Sequence, residues 1–107
     1  MSAWIPATRL GEAMFRQMAG SLHQDFDLMR VSIQEAFGSA IFWRCPEERS
    51  ALIETLSNAL EAEPSSAPFE ELFVGYGACN WSEGADIRAE AETFLQTLRA
   101  RQDKSLR

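Results

Sequence analysis

Pro46-Glu47-Glu48-Arg49-Ser50-Ala51-Leu52-Ile53-Glu54-Thr55-Leu56-Ser57-Asn58-Ala59-Leu60-Glu61 is the clearest helix in the chain. Proline suits the first helical position, where its missing N–H would have no partner in any case. Glu47 and Glu48 follow at the positive end of the helix dipole. Leu52, Ile53, Leu56 and Leu60 recur at helical spacing and form one apolar face. Proline also ends what comes before it, because residue 45 is pushed out of the α region. The stretch therefore fixes a helix, its start and the end of its predecessor, and the rest of the chain reads in the same period.

Upstream, a helix over about 30–42 carries the stripe Ile33, Phe37 and Ile41, with Ala36 and Ala40 beside it. Gly38 either weakens this helix or admits a close neighbour. An earlier amphipathic helix runs from about Thr8, a suitable cap, to about Gly20, with Leu10, Met14, Met18 and Leu22 four residues apart. Downstream, residues 62–67 read as a loop. Pro68 restarts a helix with Glu70 and Glu71 in its first turn and Phe69, Leu72, Phe73 and Tyr76 facing inward. Residues 79–84 form a second connector. Asp86 or Ser82 caps a last helix whose stripe is Ile87, Ala91, Phe94, Leu95 and Leu98. Only Phe73-Val74-Gly75-Tyr76 tempts a strand reading, and it is too short for a sheet. The expected fold is an all-α, compact bundle of about five helices in one domain over 1–107, frayed at 1–7 and 102–107.

The bulk values fit a globular domain. The 107 residues are 46% hydrophobic and 24% charged, with no long apolar run. Met1 to Pro6 lacks the basic and apolar regions of a signal peptide, so a cytoplasmic location without membrane attachment is expected. Cys45 and Cys79 lie far apart and read as ordinary thiols in a reducing compartment.

Charge is segregated. Residues 1–44 are neutral, residues 45–98 carry −9 and residues 99–107 carry +3, for a net −6. Phosphate contact needs the opposite sign, so direct nucleic-acid binding is not expected. A basic protein partner is, because an acidic face steers its approach. The alternative is that the acidity serves solubility alone. The candidate partner-binding residues are Glu47, Glu48, Glu70, Glu71, Glu83 and Asp86 at the starts of the third to fifth helices. Trp81 is the candidate anchor among Trp4, Trp43 and Trp81, all of which sit at helix edges.

Between the first two helices lies Leu22-His23-Gln24-Asp25-Phe26-Asp27-Leu28-Met29, which holds the only histidine. Buried carboxylates need hydrogen bonds, so His23, Gln24, Asp25 and Asp27 read as a structural polar cluster that caps the following helix. Zinc would need three or four ligands and calcium more oxygens than this run supplies, so no metal or cofactor is expected. Acid–base chemistry at His23 is allowed, but no nucleophile motif or phosphate loop accompanies it. Catalysis is therefore the least favoured reading.

The same run carries a resemblance. His23-Gln24-Asp25-Phe26-Asp27-Leu28, after an amphipathic helix and before the Pro46-Glu47-Glu48 helix, resembles small helical immunity proteins of contact-dependent growth inhibition systems. Their hallmark is a His-Gln-Asp-Trp/Phe-Asp run after the first helix. Trp81-Ser82 and the closing helix look similar in order and spacing, and the likeness spans about residues 8–100. It implies a cytoplasmic protein that binds and neutralises a matching toxin domain, without chemistry of its own. Many such toxins are basic nucleases, which fits the charge reading. An acidic helical adaptor for an unrelated basic partner is the other binding class that the charge pattern allows.

Overall fold

The computed structural model describes residues 4–23, 31–81 and 84–105, with side chains through Gln102. Those residues form five helices and no strand: α1 Arg9–Gly20, α2 Ile33–Ile41, α3 Pro46–Ala62, α4 Ser66–Gly75 and α5 Ile87–Ser105. The all-α bundle expected from the periodicity is what forms.

Each start has a local cause. Thr8 Oγ1 accepts from the Gly11 N–H at 3.0 Å, which satisfies one of the orphan donors at the head of α1. In α2, Ser32 Oγ accepts from Glu35 N at 3.0 Å, while Glu35 Oε1 accepts from Ser32 N at 3.3 Å. This reciprocal capping box places the start at Ile33, later than the apolar stripe alone suggested. Pro46 begins α3 as expected. In α4 the expectation is corrected: the helix begins at Ser66, and Pro68 is its third residue. Proline is tolerated there because the first-turn N–H groups have no intrahelical acceptor. The first α4 bond from the next turn is Phe69 N to Ser65 O at 3.3 Å. Glu70 and Glu71 therefore fall in the second turn, away from the strongest part of the dipole. Asp86 caps α5, its Oδ1 accepting from Ala89 N at 3.2 Å; Ser82 lies outside the described residues.

α3 is the spine, with α1 and α5 packed along it, α2 against α1 and α5, and α4 against α5. It runs antiparallel to α5. At one end Gln102 Nε2 donates to Pro46 O at 2.7 Å and Ser50 Oγ at 2.6 Å. At the other, Arg88 donates through Nε to Glu63 O and through its guanidinium to Leu60 O, both at 2.8 Å. Gln102 is buried and α5 stays helical through Ser105, where fraying was expected.

The core is aromatic. Phe15, Phe37, Phe69, Phe73 and Phe94 are fully or almost fully buried. Ring contacts run unbroken from Trp4 through Phe15, Phe73, Phe37 and Phe94 to Phe42, with centroids 5.3–5.9 Å apart. Most of these pairs meet edge to face, the arrangement favoured by the ring quadrupoles. The α1 stripe turns slightly from its expected register: Met14, Met18 and Leu22 are buried, but Leu10 is exposed and Gly11 takes the inward position. A Cβ on Gly11 would lie 2.0 Å from Thr55 Oγ1, so α1 and α3 cross there at a distance only glycine permits.

The two longer connectors are tied together. Cys79 N and Asn80 N both donate to Leu22 O, at 2.7 and 3.1 Å. Gly77, with φ +121°, turns the chain out of α4 to make this approach.

Candidate partner-binding surfaces

The acids singled out in the sequence do not form one face. α3 has 17 residues and so spans about 25 Å. Because α3 and α5 are antiparallel, Glu47 and Glu48 stand at the opposite end of the bundle from Asp86. The acids share a position at helix starts, but the start of α3 lies at one end and the starts of α4 and α5 meet at the other.

Around Glu48 the charge is locally balanced. Its Oε2 pairs with Arg44 at 3.2 Å, and its Oε1 accepts from Cys45 N at 3.3 Å. Hydrogen bonds from the Cys45 thiol and backbone, aided by the Arg44 charge, hold its carboxyl below the usual glutamate range. Glu48 is thus engaged in capping α3, and Glu47 is exposed beside it.

The other end is acidic. Ser66 Oγ lies 3.1 Å from both carboxylate oxygens of Asp86, which joins the start of α4 to the start of α5. Glu70 follows Ser66 by four residues and so lies on the same side of α4. Glu61 and Glu63 close α3 nearby, two acids that the helix-start reasoning passed over. Arg88 sits among them, but it is occupied by the Leu60 and Glu63 carbonyls and the Glu92 carboxylate.

Along α4 this acidic end opens into a groove. Pro68, Leu72, Val74 and Tyr76 supply its apolar wall, and Glu70 and Glu71 its acidic border. Val74 is 49% exposed, unusual for a valine on a helix packed against a core. Arg16 reaches the groove from α1, held by Glu12 at 3.0 Å and by the Tyr76 ring, with 4.8 Å from guanidinium carbon to ring centroid. Chemically the groove can hold an apolar side chain flanked by cations.

Trp81 is half-buried and packs on the core, so the residue expected as an anchor contributes to packing. Trp43 is the exposed tryptophan, at 68%. The signal for this was present. Ile41 faces inward, and a residue two positions later points nearly opposite at 100° per residue.

His23 is exposed, next to the fully buried Leu22. Gln24, Asp25 and Asp27 of the expected polar cluster, and Glu83 of the acidic set, lie outside the described residues. Among the described residues no three His, Cys, Asp or Glu side chains are grouped to hold a metal ion. None of their helices is long and apolar enough to cross a membrane. No protein-family model, no curated protein and no solved structure matches this chain.

Proposed function

We propose that this protein acts by binding, and that it neutralises a basic toxin domain in the manner of the immunity proteins its His23–Leu28 run resembles. The observation that carries the reading is the α4 groove, an open apolar trough bordered by Glu70 and Glu71 at the acidic end of the bundle. A toxin that handles nucleic acid presents cations where phosphate would sit. Covering those cations removes the substrate's place without any chemistry by the inhibitor. Leu72, Val74 and Tyr76 supply the apolar contact that gives affinity, and the carboxylates speed encounter and select for positive charge. Glu47 and Glu48 drop out of this surface, and Glu61, Glu63 and Asp86 extend it.

The direct test is protection. The gene beside this one should encode such a toxin domain, and cells expressing it should grow when the wild-type protein is co-expressed. They should fail with Val74→Asp, which puts a charge into the apolar wall while leaving the core intact. Protection by neither protein, with no complex on co-purification, would reject the toxin-neutralising reading. Undiminished protection by Val74→Asp would remove the groove from it.

A further inference from the structure

The α4 groove has a shape as well as a charge. α4 packs along α5 and meets α1 through the ring contacts of Phe15 with Phe73 and Tyr76. Its remaining side is open, and Ala67, Pro68, Glu71, Val74 and Gly75 are all exposed there. Their spacing of three and four residues sets them on one stripe of the helix. α4 has 10 residues, so the stripe runs about 15 Å. A Cβ on Gly75 would meet nothing within 4 Å, and its φ is not positive. Neither packing nor backbone conformation within the chain therefore calls for glycine at that position.

Packed helices lie about 8–10 Å apart, the distance being set by the side chains between them. Alanine, proline and glycine around Val74 leave room for a second helix to lie close. An extended segment fits less well. The described residues contain no strand to pair with it, so its N–H and C=O groups would enter an apolar trough without partners. A helix arrives with those groups already bonded to one another. Charge then orients the occupant. Glu71 stands within the stripe and Glu70 beside it, and neither makes an ion pair among the described residues. At the Tyr76 end the Arg16 guanidinium already lies over the ring, so a second cation there meets like charge.

From this shape and charge we infer that the α4 groove receives a short amphipathic helix of the partner. Its lysines or arginines lie over Glu70 and Glu71, and its apolar face rests on Leu72, Val74 and Gly75. That occupant rests on the groove being the partner's binding surface, and fixes which element of the partner enters it. Gly75 is the point of closest approach. A leucine there holds the incoming helix off, while α4 itself gains a better helix former.

The test uses the full-length protein as bait for displayed random peptides of about 16 residues, about 24 Å long as helices. Recovered peptides should carry apolar residues three and four apart, with Lys or Arg grouped toward one end. On binding they should gain helical circular dichroism beyond the sum of the two free spectra, and shift the Val74 methyl resonances. Affinity should fall about tenfold or more with Gly75→Leu, and likewise with Glu70→Lys plus Glu71→Lys. Thermal melts show whether Gly75→Leu stays folded, and Val74→Asp, which acts through charge instead of bulk, repeats the test if it does not. Peptides without a helical period or without basic residues, an empty selection, or undiminished affinity for folded Gly75→Leu would overturn the proposal. The protection assay separates it from the toxin reading. Protection lost with Val74→Asp but kept with Gly75→Leu retains the groove and overturns the helix. Helical peptides recovered when even the wild type fails to protect support the helix and reject the toxin. A dimer that Gly75→Leu abolishes would reassign the groove to a second copy of the chain.

Discussion

Single residues set the closest tolerances in this molecule. Gly11 permits the crossing of α1 on α3, where an added methyl would meet Thr55 Oγ1 at 2.0 Å and Thr8 Oγ1 at 2.9 Å. Gly11→Ala should therefore lower stability by about 1–3 kcal/mol through overpacking. Gly20, with open space where a Cβ would project, should gain about 0.5–1 kcal/mol from the same change. Chemical denaturation of the two variants checks the contrast, and equal effects would mean that the crossing is not tight. Glu48 gives a pH-dependent test. Its folded-state pKa is lowered by the Cys45 hydrogen bonds and by Arg44. A lowered value means that its contribution is present above the ordinary glutamate range and is lost as pH falls through the folded-state value. The stability gap between wild type and Glu48→Gln should thus narrow on acidification and be constant near neutrality. A gap that widens in acid would contradict the assigned partners. At this scale the sequence was partly legible. Pro46 announced its own position, but the exposed tryptophan is Trp43, while Trp81 packs on the core. Trp81 follows Cys79 and Asn80, whose N–H groups both donate to Leu22 O, a long-range tie with no trace in local sequence.

Helices were the most readable level, because burying an apolar stripe imposes a period that survives ignorance of the partner. Every expected helix exists, and the stripes of α2 and α5 are buried as written. The misplaced starts have separate causes. At α2 the Ser-x-x-Glu signature at Ser32 and Glu35 was there to be read, and the apolar pattern ran past it. At α4 a proline fits the third position as well as the first, so Pro68 alone does not fix the boundary. Ser32→Ala should cost about 1 kcal/mol, since it removes one arm of the capping box. Arg88 is the other element-level device, closing the end of α3 with two carbonyl bonds from α5. Arg88→Met keeps much of the aliphatic stem but strips those bonds, and should cost about 1–3 kcal/mol. Thermal melts at neutral pH measure both, and a neutral Arg88→Met would show that water replaces the guanidinium freely.

Over the whole molecule, charge is arranged end to end. The sequence showed that acids concentrate in residues 45–98, and the bundle parts them between two ends because α5 runs antiparallel to α3. That is why the site was less legible than the fold: periodicity reports which side of a helix faces inward, and says nothing of which helix starts stand together. Glu70, Glu71 and Asp86 gather at the acidic end with Glu61 and Glu63, whereas Glu47 and Glu48 lie among Arg44, Arg49 and Arg101. Binding of a basic partner through the α4 groove is the central claim, and electrostatic steering makes it measurable. The Debye length falls from about 10 Å at 0.1 M salt to about 3 Å at 1 M. The decisive measurement is the association rate constant with a toxin domain of the proposed kind, sought in the gene beside this one, taken across that range for wild type and for Glu70→Lys with Glu71→Lys. The wild-type rate should fall steeply with salt, and the double variant should be about tenfold slower at low salt and much less sensitive to it. Equal rates for the two proteins, with no dependence on ionic strength, would contradict it.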